Sequence, residues 1–184
     1  MYLVSSNPKK LAEFARYGLA LTLRQGEDLP EVQGTPLEVA IHKAKLAGPG
    51  AVVEDTVLVV NGKPWVDIKW TQDNLQNYVG DPVRWLVTLA HNTGKDIHVF
   101  VGEVEGLIVC PSSVRPEAFG FDPFVAPRGW GGQSLDDLEQ QGKKDQVSAR
   151  RRAVDALLLN APEHVIRLDA VEEWKGDWQG SNPA

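Results

Sequence analysis

Val52-Val53-Glu54-Asp55-Thr56 places two adjacent carboxylates against a short apolar run, an expensive position for charge. Burying either one without a cation or a donor is unfavourable by several kcal/mol, so a partner is expected. Ala51 to Val53 read as a buried strand. Alternate strand residues face opposite ways, so Glu54 and Asp55 do not both enter one site while the strand continues, and one of them is a supporting group. The alternative is an exposed pair at a turn. A second candidate is Ser5-Ser6-Asn7-Pro8-Lys9-Lys10, where a strand over Tyr2 to Ser5 feeds a helix over Pro8 to Leu21. Free backbone N–H groups at such a junction cradle anions. Lysines there oppose the helix dipole by about 0.3 to 1 kcal/mol, which points either to a bound anion or to a capped helix start with solvated lysines. The third is Ala118-Phe119-Gly120-Phe121-Asp122-Pro123-Phe124. Aromatic rings around a glycine, with an acid held before a proline, suit a loop that stacks a flat ring and accepts N–H bonds from its edge; an aromatic loop folded onto the core is the other reading.

The elements that must position these residues follow from pattern. Asp28-Leu29-Pro30-Glu31 is a loop, and Thr35-Pro36-Leu37-Glu38 opens a helix with a capping box and Pro in the first turn. That helix reaches Ala47, buries Val39, Ala40, Ala44 and Ala47, and carries Lys43. Gly48-Pro49-Gly50 ends it and delivers the chain to the Val52 strand. Val57 to Val60 continue extended into an Asn61-Gly62 hairpin, whose return arm runs from Lys63 to Trp70 and includes Lys69. Asp81-Pro82 caps a helix bearing Trp85, Leu86, Leu89 and Ala90, stopping at Gly94. Ile97 to Val104 and Leu107 to Val109 are two β-rich runs separated by Glu105-Gly106, a hairpin or a long bent pair. Ser134 begins a short helix, and Lys143 to Leu159 form a longer one that includes Lys144 and Arg150. Val165 to Leu168 are a last strand. Gly129-Trp130-Gly131-Gly132 is a turn and not a P-loop, because no Lys-Ser/Thr follows.

Composition bounds the function. The 184 residues, 42% of them hydrophobic, suffice for one globular domain. A net charge of −6 without a basic run argues against a nucleic-acid polymer as partner, while a local lysine cluster still suits a small phosphate ligand. Cys110 is the single cysteine, which precludes an internal disulfide framework and fits a reducing cytoplasm. The N-terminal residues lack the pattern of a signal peptide, no apolar run suffices for a membrane helix, and the four histidines show no metal-ligand spacing.

Five separated segments together resemble the inosine triphosphate pyrophosphatase family. Asn7-Pro8-Lys9-Lys10 with Glu13 resembles its Asn-x-x-Lys-x-x-Glu motif. Leu29-Pro30-Glu31 with Gln33-Gly34 resembles Leu-Pro-Glu-x-Gln-Gly, and Glu54-Asp55-Thr56 its Glu-Asp-Thr core. Ile68-Lys69-Trp70 resembles the segment after the hairpin, and Phe119-Gly120-Phe121-Asp122-Pro123 the Phe-Gly-aromatic-Asp-Pro loop. The resemblance implies an α/β fold: an elongated, bent mixed sheet flanked by helices, with two lobes and a central nucleotide cleft within residues 1–170. A tail follows over 171–184, either free or pinned by Trp174 and Trp178. It also implies a homodimer that hydrolyses nonstandard purine triphosphates such as ITP, dITP and XTP to the monophosphate and pyrophosphate.

By position, the resemblance implies that Glu31 and Asp55 hold Mg²⁺ and that Asp55 is the base that readies water. Ser6, Asn7, Lys10, Lys43, Thr56, Lys69 and Lys144 contact or position the triphosphate, Lys10 taking part in catalysis. Phe119, Gly120, Phe121 and Asp122 hold the base, and Arg150 closes on its edge. Two departures stand out. Ser148-Ala149-Arg150 occupies the family's Ser-His-Arg motif, so a base-reading histidine is missing, and the Asn61-Gly62 hairpin is short. An altered or broadened base preference is the expected consequence, losing one such donor being worth about 1 to 3 kcal/mol of discrimination. The other readings are a nucleotide-binding module or sensor without turnover, and a pyrophosphatase for standard or modified dNTPs.

Overall fold

Turn chemistry and alternation set the elements seen in the computed structural model, which describes residues 1–5, 7–24, 29–65 and 72–179. The strands are β1 (Tyr2–Val4), β2 (Thr22–Arg24), β3 (Ala51–Val60), β4 (Lys63–Trp65), β5 (Pro82–Asn92), β6 (Asp96–Ile108), β7 (Val125–Pro127) and β8 (His164–Arg167). The α-helices are α1 (Pro8–Arg16), α2 (Pro36–Ala47), α3 (Leu135–Gln140) and α4 (Ala149–Leu158). The chain forms two compact units. One comprises Met1–Asp55, Val87–Val101 and Ala153–Ala184; the other comprises Thr56–Leu86 and Gly102–Arg152.

In the first unit β1 is parallel to both β2 and β3, and β8 pairs antiparallel with β6. Parallel neighbours need crossovers, and α1 supplies the one between β1 and β2. One face of α2 (Val39, Ala40, Ala44, Ala47) is buried, and its alanines join a core with Ala51, Val53, Ala90, Ile97, Val99 and Val171. The capping box is complete: the Glu38 backbone N–H donates to Thr35 Oγ1 at 3.3 Å, and the Thr35 backbone N–H donates to Glu38 Oε2 at 2.7 Å. In the second unit β4 pairs antiparallel with β3 through the Asn61-Gly62 turn, both residues at positive φ (51° and 77°), as a two-residue hairpin requires. There β7 lies antiparallel on the end of β6, and Trp85, Phe121, Phe124, Leu135 and Leu138 are buried. The mixed α/β class is the one the sequence implied.

Several elements differ from the sequence reading. Residues 82–92 are strand, not helix: Val83, Trp85, Val87 and Leu89 are buried while Pro82 and Arg84 are exposed, a period of two. Four apolar residues in that stretch also satisfy helical spacing, and the β-branched Val83, Val87 and Thr88 break the tie. Helix α1 stops at Arg16, because Gly18 adopts φ +86° and the Leu19 N–H returns to the Phe14 carbonyl. Residues 96–108 form one continuous strand through Glu105-Gly106. Gly106 is there for close approach rather than for a turn, since a Cβ would sit 2.2 Å from the Ala126 carbonyl oxygen. The helix expected over 143–159 is split into a 3-10 turn at Lys144–Gln146 and α4. Strand β2 went unread, and the return arm beyond Trp65 lies outside the described residues.

Candidate active site

Strand β3 runs straight through Glu54 and Asp55, so the pleat sends their side chains to opposite faces. Glu54 is buried, with a side chain only 1% exposed, and its Oε1 pairs with Lys10 Nζ at 3.1 Å. Lys10 reaches it from the first turn of α1, where Asn7 is the N-cap and accepts from the Lys9 N–H at 3.0 Å. From the middle of α2, Lys43 Nζ donates to Glu31 Oε1 at 2.7 Å and to the Glu54 carbonyl at 3.2 Å. Asp55 is partly buried, and its carboxyl is pushed up to about 6. Burial is the largest cause; Glu31 and Glu54 add to it, and Lys43 and Lys10 oppose it. Three carboxylates and two ammonium groups therefore form one coupled cluster within the first unit, with one negative charge in excess when all are ionised.

That excess is the observation against which a divalent cation is tested. Among the described residues, no three His, Cys, Asp or Glu side chains converge as a ready metal cage. Mg²⁺ does not ask for one. It keeps several waters and binds through one or two carboxylates plus substrate phosphates. Glu31 and Asp55 provide hard oxygen donors of that kind, and a nearby cation would relieve the repulsion that raises Asp55. The residues fit.

The second unit holds a different cluster. Lys144 Nζ lies 2.6 Å from Asp122 Oδ2, with side chains 1% and 2% exposed. The same ammonium stands 5.2 Å from the Phe119 ring centroid and 6.0 Å from that of Trp85, and the Arg150 guanidinium stands 5.0 Å from Phe119. Cations over aromatic faces are held by the ring quadrupole. Trp85 meets Phe121 edge-on at 5.7 Å. Gly120, at φ +51°, lets the chain turn between the two phenylalanines. Lys144, grouped by the sequence reading with the phosphate contacts, thus stands among the residues assigned to the base. Ser148, Ala149 and Arg150 are all buried.

The structure brings Lys10, Glu31, Lys43 and Asp55 together, and separately Phe119, Phe121, Asp122, Lys144 and Arg150. Thr56 is partly buried at the next position of β3. Ser6 and Lys69 lie outside the described residues. Sequence reasoning missed Glu54 as the anchor of Lys10, and Trp85 as a wall of the aromatic cluster. The adjacency to Asp55 signalled the first; the helix misreading hid the second. Trp85 Nε1 is buried with no hydrogen-bond partner among the described residues. A polar cavity of about 500 Å³ lined by Cys110, Ser112, Arg115, Ser134 and Asp136 was also unread. Its one arginine is committed, donating to both Asp136 oxygens at 3.0 and 2.6 Å.

A mixed α/β chain with a carboxylate–lysine centre is the class these observations define. The model of the Ham1 family matches residues 1–159, and the chain belongs to that family. A curated relative from Tuber melanosporum, named inosine triphosphate pyrophosphatase, is 31% identical over 179 residues, covering 85% of this chain and 94% of its own. A relative of the same name from Batrachochytrium dendrobatidis is 37% identical over 120 residues, covering 56% and 62%. These names agree with the resemblance carried by the five motifs. Among solved structures, the Staphylococcus aureus Ham1 protein matches with a TM-score of 0.62 at 20% identity, over 87% of this chain and 97% of that one. A HAM1 protein from Coxiella burnetii matches with a TM-score of 0.53 at 21% identity, over 87% and 99%. The two structures share the fold.

Proposed function

We propose that this chain is a Mg²⁺-dependent pyrophosphatase that cleaves nonstandard purine nucleoside triphosphates to the monophosphate and pyrophosphate. The observation that carries the reading is the acid–lysine centre itself: Lys10 paired with Glu54, Lys43 with Glu31, and a partly buried Asp55 carboxyl that feels all four charges and is pushed up to about 6. Holding such a group ionised costs stability, and perturbed carboxyls of this kind cluster at functional sites. Mg²⁺ held by Glu31 and Asp55 would neutralise phosphate charge and lower the barrier to water activation. Lys10 and Lys43 neutralise the developing charge on the phosphate oxygens, with Asn7, Ser6, Thr56 and Lys69 positioning the chain of phosphates. A water oxygen attacks the α-phosphorus, its proton passes to an Asp55 oxygen, and the bond from the α-phosphorus to the bridging oxygen breaks, releasing pyrophosphate. Added positive charge brings the Asp55 carboxyl back toward its ordinary range, so that it stays ionised for this step at and somewhat below neutral pH.

Phe119 and Phe121 stack the base, Asp122 and Lys144 meet its polar edge with Gly120 between the rings, and Arg150 closes over it. Alanine at position 149 removes one edge donor, which supports a broadened base preference. The free, exposed Cys110 suits a reducing cytoplasm, and a homodimer completes the reading; mass in solution tests the latter. The function is tested by assaying pyrophosphate release with Mg²⁺ from ITP, XTP, their deoxy forms and the four standard dNTPs. Turnover of at least one purine triphosphate is expected. Silence across the panel, with tight nucleotide binding by calorimetry, would replace the enzyme by a binding module.

A further inference from the structure

Residues 29–34 carry Glu31 but belong to no helix and no sheet ladder; Val32 makes an isolated antiparallel bridge, to Trp178. The backbone groups of such a loop need partners from elsewhere, and residues 177–179 supply them. The Gln179 N–H donates to the Glu31 carbonyl at 2.8 Å, and the Gln33 N–H donates to the Asp177 carbonyl at 2.9 Å. Gln179 Nε2 donates to the Val32 carbonyl at 3.2 Å. This segment lies beyond the family match, which ends at residue 159.

The segment is itself anchored on the other side of the loop. Val171 is part of the core, and its carbonyl accepts from Lys45 Nζ at 2.7 Å. The Trp174 ring meets His42 of α2 edge-on at 5.2 Å, and its Nε1 donates to the Asp177 carbonyl at 2.9 Å. Both segments are trimmed to let the indole in. A Cβ on Gly34 would sit 3.2 Å from the Trp174 ring and 2.8 Å from the Glu38 carboxylate, and one on Gly176 would sit 3.0 Å from the indole. Val32, next to Glu31, is fully buried, so the loop is fixed at its base and presents the Glu31 carboxylate from there.

We infer that residues 171–179 are a positioning strap that fixes the Glu31 backbone, and through it the reach of the Glu31 carboxylate toward a divalent cation. The inference rests on the reading of Glu31 as a cation ligand. Groups that orient a ligand without touching the metal commonly govern affinity by 10- to 100-fold, so loss of the strap should weaken the cation about tenfold and leave nucleotide contacts intact.

Two variants test this: the chain ended after Lys175, and full-length Gln179→Pro, which removes both Gln179 donors. Mn²⁺ is titrated into nucleotide-free protein and followed by electron paramagnetic resonance, with amide exchange at Gln33 measured alongside. In both variants Mn²⁺ binding falls about tenfold and turnover recovers at high Mg²⁺, with the nucleotide KM then within about twofold of wild type. Gln33 exchanges faster in the truncated chain. Wild-type Mn²⁺ affinity in the variants, despite fast exchange at Gln33 in the truncation, overturns the inference alone. So does turnover that stays depressed at every Mg²⁺ concentration, the mark of a merely structural tail. A wild-type chain that takes up no Mn²⁺, alone or with inorganic pyrophosphate present to supply phosphate oxygens, contradicts the cation reading itself, and the inference with it.

Discussion

Asp55 is where the cost and the use of charge meet most directly. Its folded value of about 6 lies above the ordinary 3.8, so the fold binds that proton more tightly than the unfolded chain does. The fold is therefore favoured below pH 3.8, and this contribution is lost as pH rises through 6. Two units correspond to at most about 3 kcal/mol, less for the share of the side chain that meets water. Asp55→Asn, in metal-free buffer, should raise the melting temperature at pH 7 to 8 and lose that gain near pH 4; calorimetry at the two pH values checks it. Equal melting temperatures at pH 8 would mean that Asp55 is not strained. Lys144 and Asp122 are the opposite case, a buried pair whose charges satisfy each other. Removing one partner strands the other, so Lys144→Met should cost about 3 to 5 kcal/mol and Lys144→Met with Asp122→Leu markedly less, as urea titrations would show. Residue type and order singled out Glu54-Asp55 and Lys9-Lys10; Glu31 and Lys43 joined them only through the family resemblance. Neither route revealed that Lys144 pairs with Asp122, 22 positions away, because nothing local ties the two together.

The elements whose signals are local were legible, and those decided by tertiary neighbours were not. Thr35, Pro36 and Glu38 announce α2 within four residues, and the structure adds that the Thr35 backbone N–H and hydroxyl hold the Glu38 carboxyl below its ordinary value. That contribution is present above about pH 4.5 and fades below it. Thr35→Ala should cost about 1 kcal/mol of stability in denaturant unfolding at pH 7 and less at pH 3. Strand β5 shows the reverse. Its apolar residues fit both periods, and the β-branched Val83, Val87 and Thr88 together with pairing within the sheet select the extended form. Glu105-Gly106 reads from sequence as a hairpin or a bend between paired runs because glycine is permissive there, whereas the constraint comes from β7, which no sequence window around residue 106 contains. Gly106→Ala should cost about 3 kcal/mol or more through the clash with the Ala126 carbonyl, and a wild-type melting temperature would contradict that contact.

At the scale of the whole molecule, the two side-chain clusters fall in different units along the chain: the acid–lysine centre in the first, the aromatic–cation cluster in the second. Of the five motifs, those around Asn7, Glu31 and Asp55 supply the first cluster and that around Phe119 the second, while Ile68-Lys69-Trp70 lies outside the described residues. Among the described residues no helix is long and apolar enough to cross a membrane. The division makes separable predictions, since substitutions in the first unit's cluster should strike kcat for every triphosphate, while Phe119→Ala should change the ranking of bases. The most direct test of the account is hydrolysis of ITP in ¹⁸O-labelled water with Mg²⁺, comparing wild type with Asp55→Asn and following products by mass spectrometry. The account predicts label in the monophosphate, unlabelled pyrophosphate, and turnover at least about a hundredfold lower in the folded variant. Label in the pyrophosphate, or near-normal turnover of Asp55→Asn, would contradict it.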